Sequence, residues 1–175
     1  GVAYLIGPPG APPVTQPAQL RGKRLALPFP GSPLDFQTRF LLARAGLDPD
    51  RDLRLMYAAP PQAAALVLQG QVEAAALPEP LASQLVQSKS LSRLLDYKAA
   101  LAAAAGGDPR SPQVSLFCTR AFAATQPALL TRVLDAWRAV SERISADPSR
   151  AADRFATTLA IEPAVLRQAL DNTLF

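Results

Sequence analysis

The 175-residue sequence contains no histidine, one cysteine, one methionine and one tryptophan. Without histidine there is no imidazole for a Ser-His-Asp triad, a thiol–imidazole dyad or a His-based zinc site. Cys118 is the single cysteine, which excludes an intrachain disulfide and a thiolate cluster together. No catalytic residue, metal-ligand set or cofactor is therefore expected, and the chain reads as a non-enzyme. Long apolar runs are missing too, since nothing approaches the roughly 18–20 residues that a membrane span needs. The nearest stretch, Ala99 to Ala105, is short and alanine-rich and is expected in a buried helix.

What is present describes a globular domain. Apolar residues make up 49% of the chain and charged residues 18%, a balance that favours a packed core over disorder. The net charge is +4, carried mostly by fifteen arginines spread along the whole chain. No basic block of the kind a nucleic-acid binder shows is found, so no nucleic-acid partner is expected. Gly1-Val2-Ala3-Tyr4-Leu5-Ile6 has the composition of a strand interior and no charged leader before it. The expectation is a sequence that opens partway through a longer protein.

Gly7 to Gln19, rich in proline, alanine and glutamine, reads as a surface connection. Strand and helix patterns then alternate. Arg24 to Phe29 reads as a buried strand stopped by Pro28-Phe29-Pro30-Gly31. Ser32-Pro33-Leu34-Asp35 carries a serine N-cap, a first-turn proline and a capping-box acid, so a helix opens there. That helix is expected to turn Phe36, Phe40 and Leu41 to one side and to end at Gly46. Strands follow at Leu53 to Tyr57, Val72 to Leu77 and Leu91 to Leu95, with helices at Pro61 to Gln69 and Leu81 to Gln87. The fold class is α/β: a three-layer, doubly wound, mainly parallel sheet followed by C-terminal helices.

Ser115-Leu116-Phe117-Cys118-Thr119 reads as a further strand, with Cys118 a buried structural thiol. Beyond it the pattern is helical only. Leu130, Val133, Leu134, Trp137 and Ile144 recur at helical spacing from about Pro127, and Trp137 is assigned to core packing. Asp147-Pro148 and Glu162-Pro163 each mark a helix start.

In a parallel sheet, ligands bind beyond the carboxyl ends of the strands. Two turns have that position. Phe29-Pro30-Gly31-Ser32 precedes a helix whose N-terminus suits a carboxylate, sulfonate or phosphate. Ser32 either caps its own helix or donates to a ligand. In Leu77-Pro78-Glu79-Pro80, Glu79 either stabilises the next helix or accepts from an amine, hydroxyl or cation. The candidate ligand-binding residues are Pro30, Gly31, Ser32, Glu79 and Pro80, with Tyr57 at the end of its strand. Arg21-Gly22-Lys23-Arg24 lacks the upstream glycine of a phosphate loop, and Asp48-Pro49-Asp50-Arg51-Asp52 lacks the glycine and glutamate of a calcium loop.

These segments, taken in series, resemble a known family. Leu20-Arg21-Gly22-Lys23-Arg24-Leu25-Ala26-Leu27-Pro28, Gly31-Ser32, Ala45-Gly46-Leu47-Asp48-Pro49, Gln69-Gly70-Gln71-Val72-Glu73-Ala74-Ala75 and Leu77-Pro78-Glu79-Pro80 are similar in order and spacing to nitrate/sulfonate/taurine-type solute-binding proteins of ABC importers. The resemblance implies a type 2 periplasmic-binding fold of two lobes joined by two crossover strands. It places a first crossover and proline-rich connection at 1–19, the second lobe at 20–113, and a return crossover with C-terminal helices at 114–175. Those helices would pack on a first lobe that is largely missing. It also implies solute contacts at Pro30-Gly31-Ser32 and Pro78-Glu79-Pro80, a membrane permease as partner, a monomeric state and a periplasmic or membrane-anchored location. A small polar organic or anionic solute captured by hinge closure between the lobes is expected, and Glu79 favours one that is zwitterionic, neutral or cationic at one end over a bare oxyanion. Two alternatives are a ligand-sensing domain of a regulator and a thiamine-pyrimidine-precursor enzyme of the same fold. The enzyme uses a histidine and a cysteine-rich motif that this sequence lacks.

Overall fold

The computed structural model describes residues 3–107 and 115–173, divided between two compact units, Gly1–Ser111 and Pro112–Phe175. The first unit is built on five strands: β1 (Ala3–Gly7), β2 (Arg24–Leu27), β3 (Arg54–Tyr57), β4 (Ala74–Pro78) and β5 (Ser92–Asp96). Their order across the sheet is β3-β2-β4-β1-β5. β2 runs parallel to β3 and β4, while β1 lies antiparallel between β4 and β5. Four strands therefore point one way and β1 alone runs back, so the expected mainly parallel sheet is present.

Helices cover both faces, which explains why the central strands are apolar on both sides. α1 (Pro33–Arg44) and α4 (Tyr97–Ala105) pack on one face with Ala3, Leu5, Leu25 and Leu27. α2 (Pro60–Leu68) and α3 (Leu81–Gln87) pack on the other with Tyr4, Ile6, Ala26 and Leu77. The alternation of side chains along β1 and β2 divides the core in this way. The parallel pairing of β2 with β4 is clamped at its start. Glu73 accepts the Arg24 amide at 2.6 Å and Arg24 Nη2 at 2.7 Å, and its own amide donates back to the Arg24 carbonyl at 2.9 Å. β4 begins at Ala74, two residues later than the apolar pattern suggests.

α1 starts at the expected serine cap, but the capping box is not closed, since Asp35 takes the Gly31 amide rather than that of Ser32. Ser32 Oγ accepts the Asp35 amide at 3.1 Å, Pro33 fills the first helical position, and Gly46 closes the far end at φ 74°. Its buried residues are Leu34, Asp35, Gln37, Thr38, Leu41 and Leu42. Phe36 is not among them: at 71% exposure it points outward, roughly 200° round the helix from Leu34. Thr38, one of the three buried polar residues of α1, donates to the Leu34 carbonyl at 2.6 Å and meets the buried Tyr97 hydroxyl at 2.6 Å. The alanine-rich stretch Ala99–Ala105 forms a helix as expected but is only half-buried. Tyr97, Ala100, Leu101 and Ala104 face the sheet, while Ala99, Ala103 and Ala105 are exposed.

The second unit is helical: α5 (Arg120–Thr125), α6 (Pro127–Ala146), α7 (Pro148–Leu159) and α8 (Pro163–Asn172). α7 and α8 begin at the expected Asp-Pro and Glu-Pro steps and pack through Ala152, Ala156 and Leu166. Three expectations fail here. Residues 115–119 form no strand, and Val114 lies outside the described residues. A strand exists only by pairing, and no ladder partner is offered to this segment among the described residues. Cys118 is consequently exposed rather than buried. Trp137 is 54% exposed, with Val133, Leu134 and Val140 beside it. Helical periodicity identifies which face is apolar, not what covers it. No helix among the described residues is long and apolar enough to cross a membrane.

Candidate functional site

The carboxyl ends of β2, β3, β4 and β5 share one edge of the first unit's sheet. Each strand hands on to a helix, so the N-termini of α1 to α4 come to the same edge. The candidate residues leave three adjacent strands there: Tyr57 ends β3, Pro30-Gly31-Ser32 follows β2, and Glu79-Pro80 follows β4.

The turn after β2 is held by a polar network centred on Asp35. Asp35 Oδ2 accepts the Gly31 amide at 2.8 Å, while Oδ1 accepts the Tyr57 hydroxyl and Arg39 Nε, each at 3.0 Å. Arg39 continues outward, its Nη1 donating to both Asp50 oxygens at 2.9 Å and its Nη2 to the Tyr57 hydroxyl oxygen at 3.0 Å. Burial by itself pushes the Asp35 carboxyl up. The Gly31 amide, the Tyr57 hydroxyl and the Arg39 guanidinium outweigh it and hold the carboxyl below its ordinary range. The hydroxyl of Tyr57, then the Asp50 and Asp35 carboxylates, raise Arg39 against the opposing effect of its burial.

This network corrects the picture of a turn with open amides. The Gly31 amide is taken by Asp35, the Ser32 amide donates to the Phe29 carbonyl at 3.1 Å, and the Phe36 amide to the Ser32 carbonyl at 2.9 Å. Ser32 is buried and its Oγ caps the helix. Gly31 sits at φ 75°, a conformation that glycine adopts without steric cost. Pro30 is exposed at the tip of the turn, with Phe29 and Phe36 exposed around it. Gly31, Ser32 and Tyr57 are thus brought together through Asp35.

Glu79 and Pro80 belong to a separate cap. Glu79 Oε2 accepts the Ser83 amide at 3.1 Å and Oε1 the buried Ser83 hydroxyl at 2.8 Å, at the start of α3. Beside it, Tyr4 on β1 lies under the Arg93 guanidinium of β5, 3.8 Å from the ring centroid. Burial pushes the Tyr4 phenol up to about 12, opposed by Arg93 and reinforced by the Asp96 and Glu79 carboxylates. Asp96 in turn accepts the Lys98 amide at 2.8 Å and the Ala99 amide at 3.3 Å, capping α4.

Asp35, Arg39, Asp50 and Arg93 were not among the sequence candidates. The four-residue spacing of Asp35 and Arg39 on one helix face was the available signal. Nothing local marks Asp50 or Arg93, which arrive through loop path and strand register. Among the described residues no group of three or more histidine, cysteine, aspartate or glutamate side chains is placed to hold a metal ion. An open groove of about 660 Å³ lies away from the Asp35 network, between the proline-rich connection, α1 and α4, and is lined by Pro17, Leu41, Arg44, Ala100 and Ala104 among others.

The NMT1-like family model matches residues 12–160, the larger part of both units. The chain belongs to the NMT1-like family. No curated protein matches this NMT1-like chain in sequence. Solved structures do. The periplasmic aliphatic sulphonate binding protein SsuA from Escherichia coli superposes with a TM-score of 0.79 at 22% identity, covering 98% of this chain and 52% of that one. The alkanesulfonate-binding protein SsuA from Xanthomonas axonopodis pv. citri, bound to MOPS, gives 0.72 at 21% identity, covering 98% and 55%. A sulfonate-binding SsuA from Methylobacillus flagellatus KT, described as putative in function, gives 0.71 at 17%, covering 97% and 49%. The NMT1-like chain therefore has the α/β fold of periplasmic binding proteins and spans about half the length of those it matches.

Proposed function

We propose that this chain supplies one ligand-grasping lobe, with associated C-terminal helices, of an extracytoplasmic solute-binding protein serving a membrane ABC permease. The ligand is a small polar solute. The observation that carries the reading is the single sheet edge at which Tyr57, the Gly31 turn and the Glu79 loop leave three adjacent strands. Loops on such an edge are the usual place for a ligand in an open α/β sheet. Membership of the NMT1-like family and a fold shared with periplasmic binding proteins support it.

In this mechanism the solute is enclosed between the described lobe and a second lobe contributed by residues outside the present sequence. Contacts to both are complete only when the hinge is shut, so binding shifts the population toward the closed state that the permease recognises. Capture needs no covalent step, in keeping with a sequence that has no histidine and one exposed cysteine. The apolar stripe of α6, with Trp137 near its middle, is the surface we assign to the second lobe.

A thermal-shift screen of small anions, zwitterions, amines and neutral polyols tests the binding role. A solute at 100 times its dissociation constant stabilises the protein by about 2.7 kcal/mol. No shift with any class at millimolar concentration would remove the reading.

A further inference from the structure

Four helix N-termini reach the proposed binding edge, and each would ordinarily favour a ligand anion through its free amides and dipole. At α1, α3 and α4 the chain's own side chains take one or two of those amides. At α1, Ser32 Oγ takes the Asp35 amide and the Asp35 carboxylate takes the Gly31 amide. At α3, the Glu79 carboxylate takes the Ser83 amide. At α4, the Asp96 carboxylate takes the Lys98 and Ala99 amides. α2 opens on Pro60-Pro61, neither of which has an N–H to give.

The β2–α1 turn is the most complete case. From Pro30 to Phe36, the amides of Gly31, Ser32, Asp35 and Phe36 have internal acceptors, and Pro30 and Pro33 have no amide hydrogen. Only the amide of Leu34 remains, on a residue that is 5% exposed. The nearby cation, Arg39, is engaged by Asp35, Asp50 and Tyr57 together. A sulfonate or carboxylate arriving at this turn would meet a buried carboxylate where it needs donors.

We propose that Asp35 is a specificity-determining residue: its carboxylate occupies the place of a ligand anion at α1, so the solute turns a neutral or cationic end toward this lobe. The inference rests on the solute-binding reading above and narrows its substrate class. It accounts for Glu79 without conflict, because the two candidate loops then present the same polarity. An anionic group on the solute, where there is one, is held from outside this edge.

Calorimetry with methanesulfonate, taurine and ethanolamine as bare-anion, zwitterionic and cationic probes separates the possibilities. The unaltered protein should bind taurine or ethanolamine at least roughly tenfold more tightly than methanesulfonate. Asp35→Ala should move the ratio toward methanesulfonate by a similar factor. Asp35→Asn, which keeps the shape and removes the charge, should move it the same way and serves where the alanine variant loses its fold. A purely structural role for Asp35 would weaken all three probes by one common factor, and that result overturns the inference alone. So would a preference of the unaltered protein for methanesulfonate. Binding of none of the three, with the wider screen also blank, removes the solute-binding reading and this inference with it.

Discussion

The contact between Thr38 on α1 and Tyr97 at the start of α4 can be tested to the level of a single proton. Thr38 Oγ1 donates to the Leu34 carbonyl at 2.6 Å, so its one hydrogen is committed, and the Tyr97 hydroxyl must donate to Thr38. Both residues are buried, at 3% exposure each. The two deletions are therefore unequal. Tyr97→Phe removes a donor and leaves Thr38 bonded to Leu34, which should cost about 1 kcal/mol. Thr38→Val strands the Tyr97 hydroxyl without an acceptor in an apolar layer and should cost about 2 kcal/mol. The double variant should cost clearly less than the sum, because no orphaned hydroxyl remains. Burial pushes the Tyr97 phenol up to about 12 from 10.0. The folded state thus holds its proton longer than the unfolded state does. The resulting stability is fully present below pH 10 and is lost as pH rises toward 12, by about 3 kcal/mol in all. Urea titrations followed by circular dichroism at pH 8 and in steps to pH 11.5 would measure both effects. The alkaline limb should be visibly shallower for Tyr97→Phe than for the unaltered protein. Equal costs for the two single variants would refute the assignment of the proton, and parallel alkaline limbs would refute the burial-driven shift of Tyr97.

Other expectations follow from individual contacts. The Arg24 side chain, bonded to Glu73, holds that carboxyl below its ordinary range against the upward push of burial. The stability it lends is present above the ordinary carboxyl pKa and lost as pH falls through the lower folded value, so Glu73→Gln should flatten the acid limb of a melting-temperature profile. Gly31→Ala forces a side chain into φ 75° at a position with nothing within 4 Å of its Cβ; strain alone should cost about 1 kcal/mol in a thermal melt. A much larger loss would mean an unrecognised clash. Trp137→Ser should change chemical-denaturation stability of this chain by less than about 0.5 kcal/mol while lowering its binding of an apolar dye. A loss of several kcal/mol would place Trp137 in a core after all.

Much of the fold was legible because local signals agreed. Ser32-Pro33 and Pro148 mark helix starts by capping chemistry that acts within one turn, and the apolar strand around Ala74 to Leu77 needs two covered faces wherever it lies. The failures are of another kind. Phe36 lies on the wrong side of α1 because its face is chosen by Leu34 and Leu41, not by the largest apolar residue. The pattern of 115–119 looks like a strand, but pairing is a property of two segments. Trp137 belongs to a true apolar stripe, and periodicity does not say what covers it. The site divides in the same way. Gly31, Ser32 and Glu79 stood out by position relative to helix starts, whereas Asp50 reaches Arg39 only through the path of the loop before β3.

The capping pattern links stability to specificity. A binding lobe whose helix N-termini wait for a ligand anion leaves those amides to water whenever it is empty and exchanges that water for the anion on binding. This lobe satisfies Gly31, Ser83, Lys98 and Ala99 in advance with Asp35, Glu79 and Asp96. Each such cap contributes about 1 kcal/mol to the empty state. The gain available to an incoming anion falls by the same interactions, since it would have to displace a carboxylate already held by the chain. A lobe built this way is stable without ligand and discriminates by what it refuses. Removing Asp35 should therefore cost stability and relax selectivity at once, because the Gly31 amide, the Tyr57 hydroxyl and Arg39 Nε lose the acceptor that kept them from a ligand.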